Sequence, residues 1–185
     1  MHRGSELTAA IARAQLAELP QRTARCQRSA ERLAMRLAEL PGVIPPKCPA
    51  GRTSVHHKYR VRLDPARAGL DVSSERLRDG IRKALVAEGL EVVAWQSAPL
   101  PAQPIFQRRA KADGFPVSTS QGSASATDLA QNYDPSRYPR TIALLAGSVV
   151  LFSQSCPLIA QTDETVDRYA DAFERVWRHR KALPL

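Results

Sequence analysis

The chain runs to 185 residues, with 27 Lys and Arg against 18 Asp and Glu for a formal net charge of +9, and is 43% hydrophobic but only 5% aromatic. These proportions fit one soluble domain, residues 1–185, and exclude a disordered, collagen-like or membrane-spanning chain. No run approaches the ~20 apolar residues of a bilayer helix, and the opening MHRGSELTAA lacks the apolar middle of a secretory signal, so the expected address is cytoplasmic.

In chain order, Ser5 to Glu18 has the spacing of a helix, with Leu7, Ala10, Ile11 and Ala14 on one stripe behind a capping serine. Pro20 is expected to interrupt it. Gln21 to Leu40 forms a second helical pattern with Cys26, Ala30, Leu33, Leu37 and Leu40 on one side, completing an opening helical segment over residues 1–40. PGVIPP stops it, and Val55 to Leu63 alternates Val55, His57, Tyr59, Val61 and Leu63 against His56, Lys58, Arg60 and Arg62, the period of a half-buried strand. Ser73 or Ser74 caps a helix whose stripe is Leu77, Ile81, Ala84 and Leu85, with Gly89 as its stop. LEVVAW reads as a second strand. Residues 96–135, rich in proline and containing SQGSASAT, read as a long loop with little regular structure. Tyr138 to Ala146 is a short helix, Ser148 to Ser153 a third strand, and 162–181 a terminal helix with Val166, Tyr169, Ala170, Phe173, Val176 and Trp177 inward. The order implies an α+β fold: a small, mostly antiparallel sheet of about three strands with helices packed on one side.

The positive balance does not by itself define a partner. Arg13, Arg22, Arg25, Arg28, Arg32 and Arg36 are interleaved with Glu18, Glu31 and Glu39, while Arg108, Arg109 and Lys111 fall in the long loop. Without aromatics among them there is no stacking platform for a single strand, so solvated helix faces are expected rather than a nucleic-acid surface. Cys26, Cys48 and Cys156 are far apart and odd in number, which suggests neither a disulfide framework nor a zinc site. GxSxG, GxxxxGK[ST], GxGxxG, HExxH and CxxC are all absent. On a strand, His56 and His57 would point to opposite faces and could not share a metal. Cys156 has no histidine near it in sequence, and Tyr59 reads as core.

Several segments together resemble the DegT-type PLP-dependent aminotransferases, which aminate nucleotide-linked keto-sugars and keto-cyclitols. R-G-S-E-L-T-A-A-I-A-R-A-Q-L-A-E-L (Arg3 to Leu19) is similar to the R-M-[ST]-E-x-[QS]-A-A…A-Q-L-x-x-L segment that begins the family's small C-terminal domain. VHHKYRVRL resembles the family strand with an H-x-Y core, and SERLRDGIRKALVAEGLEVV the helix that ends in Gly-[IL] before the next strand. PLPAQPIFQ resembles the P-L-H-x-Q-P-x-[FY] loop, with Pro101 in place of its histidine, and YPRTIALLAGSVVLFSQSCPLIAQTDETVDRYADAFERV resembles the family's ending. These segments run in register along nearly the whole chain.

The resemblance implies the small domain of such an enzyme. The large domain's Schiff-base lysine has no counterpart, since Lys47, Lys58, Lys83, Lys111 and Lys181 match no such position, so no catalytic residue is expected and PLP would bind only in a complex with a large domain. Arg3 matches an arginine beside the asparagine that reaches the cofactor phosphate, an asparagine that would fall at Met1. Glu6 matches a structural glutamate fixing that turn. His57, Tyr59 and Gln103 are the residues the resemblance brings toward a keto-sugar or keto-cyclitol substrate, and Ser153 and Gln154 stand where the aminocyclitol branch often has histidines. The implied partner is a PLP-binding large-domain chain, or a second copy joined through the stripe of residues 7–40, which would otherwise leave an apolar patch exposed. The alternative is a non-catalytic module that keeps the fold and binds a partner protein.

Overall fold

A computed structural model describes residues 5–109 and 133–185. Its first element, α1 (Glu6–Ala38), is one helix of 33 residues, roughly 50 Å long at 1.5 Å per residue. The Ser5 hydroxyl accepts from the Thr8 N–H at 3.2 Å, as an N-cap should. Pro20 does not end the helix, contrary to the sequence reading. A proline removes one backbone donor, here the one that would bond the Leu16 carbonyl, and the side chains span the gap. The Arg22 guanidinium reaches back across Pro20 to the Glu18 carboxylate at 3.0 Å and to Gln15 Oε1 at 3.0 Å.

Burial changes abruptly along α1. Leu7, Ile11, Leu16 and Leu19 are exposed, whereas Cys26, Ala30, Leu33 and Leu37 are at most 1% exposed. The apolar stripe of the first half is therefore open in this chain and that of the second half is core.

The sheet has four strands, one more than the sequence pattern suggests: β1 (Val43–Ile44), β2 (Tyr59–Leu63), β3 (Val92–Val93) and β4 (Ser148–Leu151), in the order β1-β2-β4-β3 and antiparallel throughout. The added strand comes from PGVIPP, whose two paired residues, Val43 opposite Leu63 and Ile44 opposite Arg62, are too few to show alternation. β2 also begins four residues later than the alternation from Val55 predicts. His56 has a left-handed backbone (φ 45), and the chain bends at His57 and Lys58 before pairing starts at Tyr59.

Around the sheet lie α2 (Ser74–Ala87), α3 (Pro104–Arg109), α4 (Pro139–Ala146) and α5 (Asp163–Arg178). The segment read as an irregular loop holds α3 and the 3₁₀ turns Leu100–Ala102 and Pro135–Arg137; Lys111 and SQGSASAT lie outside the described residues. The terminal helix stops at Arg178, with His179 as cap and a 3₁₀ turn, Arg180–Ala182, beyond it. Thr162 caps its start, accepting from the Thr165 N–H at 3.2 Å.

One core joins the second half of α1, α2 and α5 to Tyr59, Val61, Leu63, Val149 and Leu151 on the sheet. Trp177 of α5 is 1% exposed and donates its indole N–H to the Pro41 carbonyl at 3.1 Å. At the rim Arg32 pairs with Asp167 at 2.6 Å, and Arg36 with Asp171 at 2.6 Å and Glu174 at 2.7 Å. Among the described residues no helix is long and apolar enough to cross a membrane.

Two glycines separate backbone strain from steric overlap. Gly42 (φ +86) and Gly89 (φ +84) are both left-handed, but a Cβ on Gly42 would sit 2.7 Å from Ala68 N and Asp64 O, whereas none on Gly89 would meet an atom within 4 Å. Gly89→Ala should cost about 1 kcal/mol and Gly42→Ala distinctly more, as measured by urea unfolding of the two variants.

Candidate functional site

Where the free and packed halves of α1 meet, a groove of about 250 Å³ opens, lined by Leu19 and Thr23 of α1, Val55, His56 and His57 ahead of β2, and Pro157, Leu158 and Ile159. Its walls are tied to the helix. Gln27 Nε2 donates to the Ser54 carbonyl at 3.1 Å, Cys26 Sγ to the Val55 carbonyl at 3.5 Å, and Arg25 to the Ile159 carbonyl at 3.3 Å. The Ser54 hydroxyl accepts from the His56 N–H at 3.1 Å and supports its left-handed backbone.

That backbone overturns the expectation that the two histidines face apart: both line the same groove. His56 is half-buried against the Tyr59 ring, centroids 6.0 Å apart, and burial lowers its pKa, partly opposed by Glu31. His57 is exposed at the mouth. Among the described residues no group of three His, Cys, Asp or Glu could hold a metal ion.

The other residues singled out by the resemblance are dispersed. Tyr59 is fully buried, and its hydroxyl donates to the Ala30 carbonyl at 3.3 Å, so it anchors β2 to α1 and presents no polar atom to the groove. Burial raises its pKa and keeps the phenol neutral. Gln103 is exposed at the end of the Leu100–Ala102 turn, where its carbonyl accepts from the Phe106 and Gln107 N–H groups at 2.9 and 3.2 Å. The Gln107 amide closes that corner on the Pro101 and Tyr133 carbonyls at 2.7 and 2.9 Å. Glu6 opens α1 with its carboxylate in the first turn, where it complements the exposed amides of the helix. Arg3 lies outside the described residues.

A polar cluster that no sequence pattern announced joins the end of β4 to α5. Ser153 donates to the Glu91 carboxylate, Ser155 does so at 2.9 Å, and the Glu91 N–H donates to the Tyr169 hydroxyl at 3.0 Å. The Tyr169 O–H points toward Cys156 Sγ at 3.8 Å, and its ring stacks on Phe152 at 4.1 Å. Burial pushes the Tyr169 pKa up to about 12. The partners lie up to 78 positions apart in sequence, so nothing short of the fold brings them together. Ser153 is thereby engaged, whereas Gln154 is exposed.

This architecture is shared with solved aminotransferases. The PLP form of the putative sugar aminotransferase Spr1654 from Streptococcus pneumoniae superposes with a TM-score of 0.65 at 17% identity, covering 95% of this chain and 36% of that one. The aminotransferase TlmJ from Streptoalloteichus hindustanus does so with a TM-score of 0.59 at 22% identity, covering 97% and 38%. These likenesses are of fold. Residues 2–127 match the DegT/DnrJ/EryC1/StrS aminotransferase family, and the chain belongs to that family. It is 27% identical over 178 residues to protein MosB of Rhizobium meliloti, covering 96% of this chain and 31% of that protein. It is 29% identical over 109 residues to the dTDP-4-dehydro-2,3,6-trideoxy-D-glucose 4-aminotransferase of Saccharopolyspora spinosa, covering 58% and 26%. The chain thus spans under a third of the length of these curated relatives.

The lowered pKa of His56 has a stability consequence with a definite sign. A histidine whose folded pKa lies below its ordinary 6.5 binds fewer protons in the native than in the unfolded state, so its contribution is complete above pH 6.5 and is lost as pH falls through the folded pKa. An NMR titration should place the His56 ring below 6.5, and His56→Gln should flatten that part of the acid-side decline in urea stability.

Proposed function

We propose that this chain supplies the small domain of a PLP-dependent aminotransferase acting on a keto-sugar or keto-cyclitol in the cytoplasm, and that these 185 residues do not transaminate without a cofactor-binding large domain. The observation that carries the reading is the family match over residues 2–127 in a chain spanning under a third of its curated relatives. The lysines agree with it. Lys47, Lys83 and Lys181 are exposed, and Lys58 lies over the Trp95 ring, its ammonium 4.1 Å from the centroid. None of them lines the groove at His56, and no chemical step is assigned to them.

What the chain would contribute is position. By the resemblance Arg3 would approach the cofactor phosphate, and Glu6 stands in the first turn of α1. His57 and Gln103 are the exposed side chains that would approach the substrate, and Tyr59 sets the start of β2 beside His57. The open stripe of Leu7, Ile11 and Leu19 is the surface for a large domain, or for a second copy of this chain.

Purified chain mixed with PLP should show no lysine aldimine band and no adduct trapped by borohydride; a trapped adduct would overturn the proposal. Co-expression with a lysine-bearing large domain of the family should give a complex with transaminase activity, in which His57→Ala and Gln103→Ala each raise KM for the keto-sugar severalfold. A stable complex without transaminase activity would favour the partner-binding module instead.

A further inference from the structure

The sheet face turned away from α1 and α5 carries cations that hold no carboxylate among the described residues. Arg60 and Arg62 alternate with the core residues Tyr59, Val61 and Leu63, so they project from the opposite face. Arg60 is half-buried; it donates to Ser148 Oγ at 2.7 Å and to the Trp95 carbonyl at 3.0 Å, and burial lowers its pKa. Arg62 is exposed and, with Arg140, Ala143 and Leu144 of α4, lines a cavity of about 380 Å³. Among the described residues none of the ion pairs includes Arg60, Arg62 or Arg140, whereas Arg32, Arg36, Arg78 and Arg175 each hold a carboxylate. Other exposed arginines are also unpaired, but here two from separate elements line one cavity and a third stands behind them on the same strand.

A guanidinium presents a rigid fork of donors that matches a tetrahedral oxyanion, and two forks from independent elements fix its orientation as well as its charge. The half-buried Arg60 adds positive potential where water screens it less. Ala143 and Leu144 form an apolar wall beside the forks, which suits a ligand with a carbon skeleton attached to the anion.

We propose that this cavity binds the phosphate group of a small phosphate ester, with Arg62 and Arg140 on the phosphate oxygens and the organic part against Ala143 and Leu144. The inference needs only this chain's own residues and holds whether or not the chain takes part in transamination.

Isothermal titration of the 185-residue chain at low ionic strength, with phenyl phosphate and inorganic phosphate as probes, tests it. Phenyl phosphate should bind more tightly than inorganic phosphate, and Arg62→Gln and Arg140→Gln should each weaken it about tenfold or more. Both side chains lack hydrogen-bond partners among the described residues, so the variants should keep the parent's unfolding midpoint. Arg13→Gln, which removes the same charge from an exposed position on α1, should leave binding nearly unchanged. Equal weakening by Arg13→Gln, or no binding of either anion in the millimolar range, would overturn the proposal. Equal affinity for the two anions would overturn the ester assignment and make inorganic phosphate the occupant.

Discussion

Apolar contact between the second half of α1 and α5 sets the position of almost everything else. Cys26, Ala30, Leu33 and Leu37 share one core with Val166, Ala170, Phe173 and Trp177, all nearly inaccessible to solvent. From that seam two polar links fix the sheet. The Ala30 carbonyl holds the Tyr59 hydroxyl and with it the first residue of β2, and the Pro41 carbonyl holds the Trp177 indole where the chain turns at Gly42 into β1. The ion pairs of Arg32 and Arg36 along the rim are partly exposed, and pairs of that kind contribute about 0–1 kcal/mol each, so the apolar seam carries the attachment of the helices.

How far the fold could be read in advance follows from the physics of each element. α2 and α5 were legible because a capping hydroxyl and an unbroken apolar stripe act within one turn of each other along the chain. β1 has two residues, fewer than any alternation can reveal, and exists because β2 offers it an edge, whereas the apolar run LEVVAW announced β3, of which Val92 and Val93 pair with β4. The start of β2 was misplaced because alternation of residue types continues straight through His56, and a left-handed backbone leaves no mark on that pattern. Pro20 was overread as a break because a proline removes a single backbone donor, and the helix runs on through it to the packed turns beyond. The candidate site was less legible than the fold for the same reason. His57 was recognised, but its meeting with His56 in one groove rests on one dihedral angle, and the Glu91, Ser153 and Tyr169 cluster depends on long-range closure.

Membership of the aminotransferase family accounts for the order of elements, while the surfaces divide the functional questions. On the helical side, the groove of His56 and His57 sits at the root of the free half of α1, beside the stripe that a larger assembly would cover. On the opposite face of the sheet, Arg60 and Arg62, which hold no carboxylate among the described residues, form with Arg140 of α4 a surface of different chemistry. The two share no lining residue, so a ligand on one and a partner on the other need not compete.

The abrupt change of burial along α1 has a consequence for how that helix comes to exist. Starting a helix is costly and extending it is cheap, and isolated helices shorter than about 12–15 residues are marginal in water. The exposed first half, which buries none of its apolar residues and contains Pro20, has no packing to start it. Its helical state depends on extension from the turns of Cys26 to Leu37, which pack against α5, so the seam supports structure well beyond its own contacts. Loosening Leu33 would therefore unwind Leu7, a residue more than 35 Å away that it never touches, and the exposed arm is a folded extension of the core rather than an independent segment.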